Sequence, residues 1–239
     1  MTSYGPDIYT EAIGAADTLA NLGPLRALAG TWTGEMGHDE HPVAQGTEIA
    51  TFVEHYDAQP IDRQTNGPQI FYGLRYHTFI VKPGELDTFH NQVGFWLWEP
   101  AAELVTMTLA IPRAQVLMAS GFAAADSTEF ELNAVLGSET NGIISNPFLA
   151  EAFRTTSYRI RVTANPDGTW SYEEEGVMDI PGKAEPFHHI DRNTLTLVSP
   201  PTLNPLAQIA LNAQAAPAAA PNPESLRIGS LRDERENLL

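Results

Sequence analysis

The chain has 239 residues, with 13 Lys and Arg against 30 Asp and Glu, a net charge of −17 and no cysteine. Such acidity repels phosphate backbones and anionic lipid headgroups over a Debye length, which argues against nucleic acid and membrane surfaces as partners. The lack of cysteine excludes disulfide frameworks, thiolate metal sites and Cys nucleophiles. No run approaches the roughly 20 apolar residues that span a bilayer, and the first residues carry neither a basic nor an apolar leader region, so a cytoplasmic protein is expected.

In chain order, Ile8, Ile13, Ala16, Leu19 and Leu22 recur near helical spacing and predict a short helix in an N-terminal extension over 1–24. From 25 to 199 the period falls to two. Strands are predicted at 28–36, 47–56, 69–81, 87–98, 103–111, 115–120, 128–136, 155–163, 169–180 and 189–198. Turn chemistry separates them, as in Lys82-Pro83-Gly84 and Asn165-Pro166-Asp167-Gly168. Phe130, Leu132, Ala134 and Leu136 alternate with Glu129, Glu131 and Asn133, so one face is dry and the other wet. Asn146 as N-cap and Pro147 at the first helical position start one short helix, suited to lid a barrel end. Residues 200–239 form a Pro- and Ala-rich tail with one short helix near 206–214. The extension carries −3 and the tail −1, so −13 of the charge belongs to residues 25–199.

Ten strands without a fixed repeat predict an all-β fold, one up-and-down antiparallel barrel of ten strands. It is wider than the eight-stranded kind that side chains nearly fill, so a cavity and a small-molecule ligand are expected, in a monomer or homodimer. Histidine is the chemically interesting residue type here. His38 and His41 sit between Gly37 and Pro42 without an evident third metal ligand, and a solvated loop is the plainer reading. His55 and His77 read as hydrogen-bonded wall residues. His188 and His189 are adjacent in the last strand, so only one can face inward, where an imidazole needs a hydrogen bond, a metal or a haem iron. Glu173, Glu174 and Glu175 read as a solvated or edge-protecting run. Neither a nucleophile elbow, a phosphate-binding loop nor a dinucleotide fingerprint occurs.

The segment Leu25 to Met36 resembles the opening strand of nitrobindins and related fatty-acid-binding-protein-like barrels, with signature G-x-W-x-G-x-G. Gly30, Trp32 and Gly34 match it, while Gly37 comes one residue late, after Met36. His90 to Gly94 and the aromatic residue after it are similar to the family's H-x-x-x-G strand. Pro147-Phe148 with Arg154-Thr155-Thr156 resembles its helix-to-strand junction, and Phe187 to Leu195 its closing strand. The likeness covers about residues 25–198. It implies a ten-stranded barrel binding haem b, with His189 as axial iron ligand and catalytic centre, His90 on the distal side, Arg154 as a partner for a haem propionate and Trp32 packing the floor or stacking on haem. The implied activity is reversible binding of nitric oxide and isomerisation of peroxynitrite to nitrate on ferric haem, the iron being held by a neutral imidazole.

Two other readings compete. A carrier of a fatty acid or similar apolar molecule would need an inward Arg159 or Arg161, with Tyr158, to hold a carboxylate. A barrel filled by side chains would instead bind partners through its surface or tail. Inward His189 with outward Arg159 and Arg161 favours haem.

Overall fold

The computed structural model describes residues 4–215. Its elements are β1 (Gly30–Val43), β2 (Gly46–Pro60), β3 (Gln64–Asn66), β4 (Gln69–Val81), β5 (Thr88–Glu99), β6 (Leu104–Ile111), β7 (Gln115–Phe122), β8 (Glu129–Val135), β9 (Ile143–Ser145), α1 (Pro147–Ala152), β10 (Arg154–Ala164), β11 (Trp170–Asp179), β12 (Phe187–Ser199) and α2 (Pro205–Ala215). All ladders are antiparallel, and β2 pairs both β1 and β4 while β12 returns to β1. Ten strands thereby close into an up-and-down barrel, with β3 appended to β4 and β9 to β7. Among the described residues, no helix is long and apolar enough to cross a membrane.

Alternation decides what fills the barrel. Tyr56, Tyr76, Trp96, Phe130, Leu132, Ile160 and Trp170 all point inward and are buried. Tyr56 and Tyr76 stack with centroids 5.5 Å apart, and Trp96 Nε1–H donates to Tyr56 Oη at 2.7 Å. This aromatic filling corrects the expectation of a roomy cavity: the interior space lined by Glu54, Tyr76, His90, Gln92, Trp96 and Glu174 is about 30 Å³. The floor is closed by a 3-10 turn over Gly23–Leu28. Leu22, Leu25 and Leu28 are fully buried there, each side chain stabilising the fold by about 1.5–3 kcal/mol on burial. The opposite end is the mouth, where the β1–β2, β4–β5, β6–β7 and β11–β12 hairpins turn and α1 lies between β9 and β10.

The N-terminal helix expected over 7–22 does not form. Residues 4–18 run as an irregular strap, followed by 3-10 turns at Leu19–Asn21 and Gly23–Leu28. Asp7 diverts the chain, its carboxylate accepting from the Tyr9 and Thr10 N–H groups, a local bond that competes with helix. The strap then pairs with the barrel instead of with itself. Ala12 N–H donates to Gly67 O at 2.8 Å and Ala15 N–H to Tyr72 Oη at 2.9 Å, while Ile8 and Ile13 are left exposed.

The first part of the tail is docked. Asn204 is fully buried; its Oδ1 accepts from Thr18 N–H at 3.0 Å, and its Nδ2 donates to Ala16 O at 2.9 Å and Asp62 Oδ1 at 2.7 Å. The helix expected near 206–214 follows as α2; residues 216–239 lie outside the described residues. Helix α1 is also as expected, with Leu149 N–H donating to the Asn146 side chain.

Strand β1 departs most from expectation. It continues to Val43, so His38 to Pro42 are strand rather than solvated loop. The ladder to β2 slips between Gly34 and Gly37, and the ladder to β12 between Thr33 and His38. Glu35 and Met36 form an outward bulge, Met36 being exposed, and the extra residue reverses which parity faces inward beyond it. Gly37 permits this because a Cβ there would lie 2.1 Å from the Phe52 ring.

Candidate functional site

Strand β12 enters at the mouth with His188 outward and His189 inward, followed on the inward face by Asp191, Asn193 and Leu195. His188 binds Glu175 on the outer wall at 2.7 Å. Because of the bulge, Asp39 and His41 of β1 also face inward, and Asp39 meets His189. His189 Nε2 lies 3.0 Å from Asp39 Oδ1 and 3.2 Å from Asp191 Oδ2. The second Asp39 oxygen is 2.9 Å from His41 Nδ1. His38 points the other way and binds Glu40 at 2.7 Å, so His38 and His41 cannot share a ligand.

The charges at this end are one-sided. Glu174 of β11 faces inward beside the pair, accepting a 2.6 Å bond from Tyr158 Oη. It corrects the reading of 173–175 as a solvated run, which holds only for the outward Glu173 and Glu175 on Arg159. Deeper, Glu54 is buried and accepts from Thr78, Tyr172 and Asn193 at 2.8, 2.8 and 3.1 Å. Burial and the charge of Glu174 push Asp191 up to about 8, with His189 opposing. Burial alone would lower His189, but the Asp39 hydrogen bond and the charges of Asp191, Asp39 and Glu174 outweigh it, so its pKa is raised. Burial likewise works against Asp39, whose carboxyl is nevertheless held low by His189 and His41.

His90 on β5 lies four strands from β12 around the ten-strand ring, nearly opposite His189. Its Nε2 is 3.3 Å from Gln92 Oε1, and burial holds its pKa below the ordinary value, with Arg113 and His189 adding to the depression. Arg154 starts β10 at the same end, exposed and opposite Asp179. Trp32 is elsewhere. It pairs with Leu197 in the floor, donates Nε1–H to Leu28 O at 2.9 Å and meets Trp170 edge-on at 6.3 Å; eight residues of β12 separate its partner from His189, roughly 25 Å. The mouth thus brings together His189 and His90, whereas Arg154 lies at the same end on the outer face it shares with Asp179, and Trp32 is at the floor. His55 and His77 are exposed wall residues, stacked on Phe79 and bonded to Asn91.

Four participants escaped the sequence reading: Asp39, Asp191, Glu174 and Arg113. Asp191 was accessible as the second residue after His189 on one face. Asp39 was hidden by the bulge, for which the three-residue step from Gly34 to Gly37 is the signal. The carrier's requirement fails, because Arg159 and Arg161 point outward to Glu131, Glu173 and Glu175.

A closed antiparallel barrel with polar and histidine side chains converging at one mouth defines a ligand-binding barrel. The model of the THAP4-like, heme-binding beta-barrel domain matches residues 21–196, and the chain belongs to that family. Among solved structures, the chain is similar to the crystal structure of Rv2717c from M. tuberculosis, at 18% identity and TM-score 0.51, covering 76% of this chain and 98% of that one; the likeness is one of fold. No curated protein matches the sequence.

Proposed function

We propose that the barrel binds haem b at its mouth, with His189 as the protein ligand to iron, and that the loaded protein binds nitric oxide and isomerises peroxynitrite to nitrate. The observation that carries this reading is the inward, 36% exposed side chain of His189 across the mouth from His90. The donor chemistry fits. Asp39 and Asp191 hold one ring nitrogen of His189, and the other has no hydrogen-bond partner among the described residues, the arrangement that orients metal-bound imidazoles. Arg113, whose charge reaches His90, is a cation suited to a propionate in an otherwise acidic domain, and Arg154 on the outer rim is a more distant second. The filled interior supports a macrocycle at the mouth rather than at the barrel centre.

Bound ferric haem would supply the redox-active iron and its open coordination position. This chain's residues do the rest. His189 would anchor the group, the two aspartates would fix its ring, and His90, whose pKa burial holds below the ordinary value, would offer a hydrogen bond from across the mouth. Stopped-flow decay of peroxynitrite tests the activity: haem-loaded protein is expected to raise both the decay rate and the nitrate yield above those of free haemin. Equal rates and yields would reject it.

A further inference from the structure

A haem held through the other ring nitrogen of His189 would leave a second donor set at the mouth. Asp39 Oδ1, Asp191 Oδ2 and His189 Nε2 lie within 4.8 Å of one another. The nitrogen is 3.0 and 3.2 Å from the two oxygens, which matches the spacing of neighbouring ligands around an ion at about 2.1 Å. One Nε2–H cannot bond fully to two carboxyl groups, whereas one cation serves all three donors. Among the described residues no Lys or Arg hydrogen-bonds to Asp39, Asp191, Glu174 or Glu54; their partners are His, Tyr, Thr and Asn side chains. His41 holds the second Asp39 oxygen and so aims the first. The strands that bring these residues together, β1 and β12, are directly paired, with Asp39 opposite Asp191 in the ladder.

We infer that Asp39, His189 and Asp191 form a binding site for a divalent first-row metal ion in the haem-free protein. Two hard carboxylate oxygens with one imidazole, and no thiolate, suit Mn²⁺, Fe²⁺ or Zn²⁺. The side chains of Asp39, Asp191 and His189 are 10%, 18% and 36% exposed, so the remaining coordination positions face the mouth and are available to water or a small anionic ligand. The ion and haem need the same imidazole, so they compete.

The test uses the full-length chain, stripped with a chelator and titrated with Mn²⁺ by electron paramagnetic resonance and with Zn²⁺ by calorimetry, without haem. One saturable site is expected, weakened at least about tenfold in Asp39→Asn and in Asp191→Asn and lost in His189→Ala. His38→Ala, outside the triad, should bind as the wild type does. Circular dichroism confirms that each variant is folded; if Asp39→Asn is not, Asp191→Asn decides. No saturable binding, or a site indifferent to a folded aspartate variant, overturns the inference. Because the ion is measured without haem, failure of haemin to bind would count against the haem reading alone.

Discussion

Asp39 and His189 are 150 residues apart in sequence, yet a carboxylate oxygen of one lies 3.0 Å from Nε2 of the other. The contact depends on a single extra residue in β1. Without the outward bulge at Glu35 and Met36, the inward parity of the strand would continue through His38 and Glu40, and Asp39 would face solvent.

The bulge needs glycine at its end, and Gly37→Ala tests that. The added methyl would meet the Phe52 ring at 2.1 Å, so the variant is expected to lose about 1–3 kcal/mol by overpacking, read as a lower urea midpoint. Adding Phe52→Leu should recover part of the loss. A midpoint unchanged in Gly37→Ala would contradict the packing described.

Glu54 makes stability depend on pH. Burial raises its pKa above 4.5, against the opposing bonds from Tyr172, Asn193 and Thr78. A folded-state value above the unfolded one means that its stabilising contribution is complete below the unfolded value and is lost as pH rises through the folded value. Glu54→Gln abolishes the titration. The wild type should therefore lose ground against Glu54→Gln as pH rises from the ordinary carboxylate range through the raised folded-state value. Thermal melts of both proteins across that range check it; parallel profiles would count against a raised Glu54.

Asn204 joins the start of α2 to the N-terminal strap through Thr18, Ala16 and Asp62. Asn204→Ala should cost about 2 kcal/mol, since it leaves buried groups unpaired, and should expose the strap and α2 to limited proteolysis before the barrel opens. Cleavage of wild type and variant at the same rate would show that the contact contributes little.

The barrel was legible in sequence because its signals are local. The period-two runs recur at hairpin spacing, and the Asn146-Pro147 start of α1 and the helix near 206–214 rest on their own residues. Misreadings fell where a distant contact overrode a local pattern. The apolar residues of the strap have helical spacing, but Asp7 and the edge at Gly67 take its backbone groups. Within the site, His189 was accessible through strand alternation and family resemblance. Asp39 was not, because a bulge changes the face of every residue after it while leaving composition untouched. The small interior was equally hidden, since strand number sets a barrel's width but the facing aromatics, here Tyr56, Tyr76, Trp96 and Trp170, set what space remains.

Haemin titration of the 239-residue chain, followed in the Soret region beside His189→Ala, bears most directly on whether His189 ligates haem. His188→Ala, one residue away on the outer wall, serves as the control. Ligation by His189 predicts a saturable 1:1 change in wild type and His188→Ala that is lost or weakened at least about tenfold in His189→Ala. An unsaturable wild-type titration, or the same affinity in a folded His189→Ala, would contradict ligation by His189.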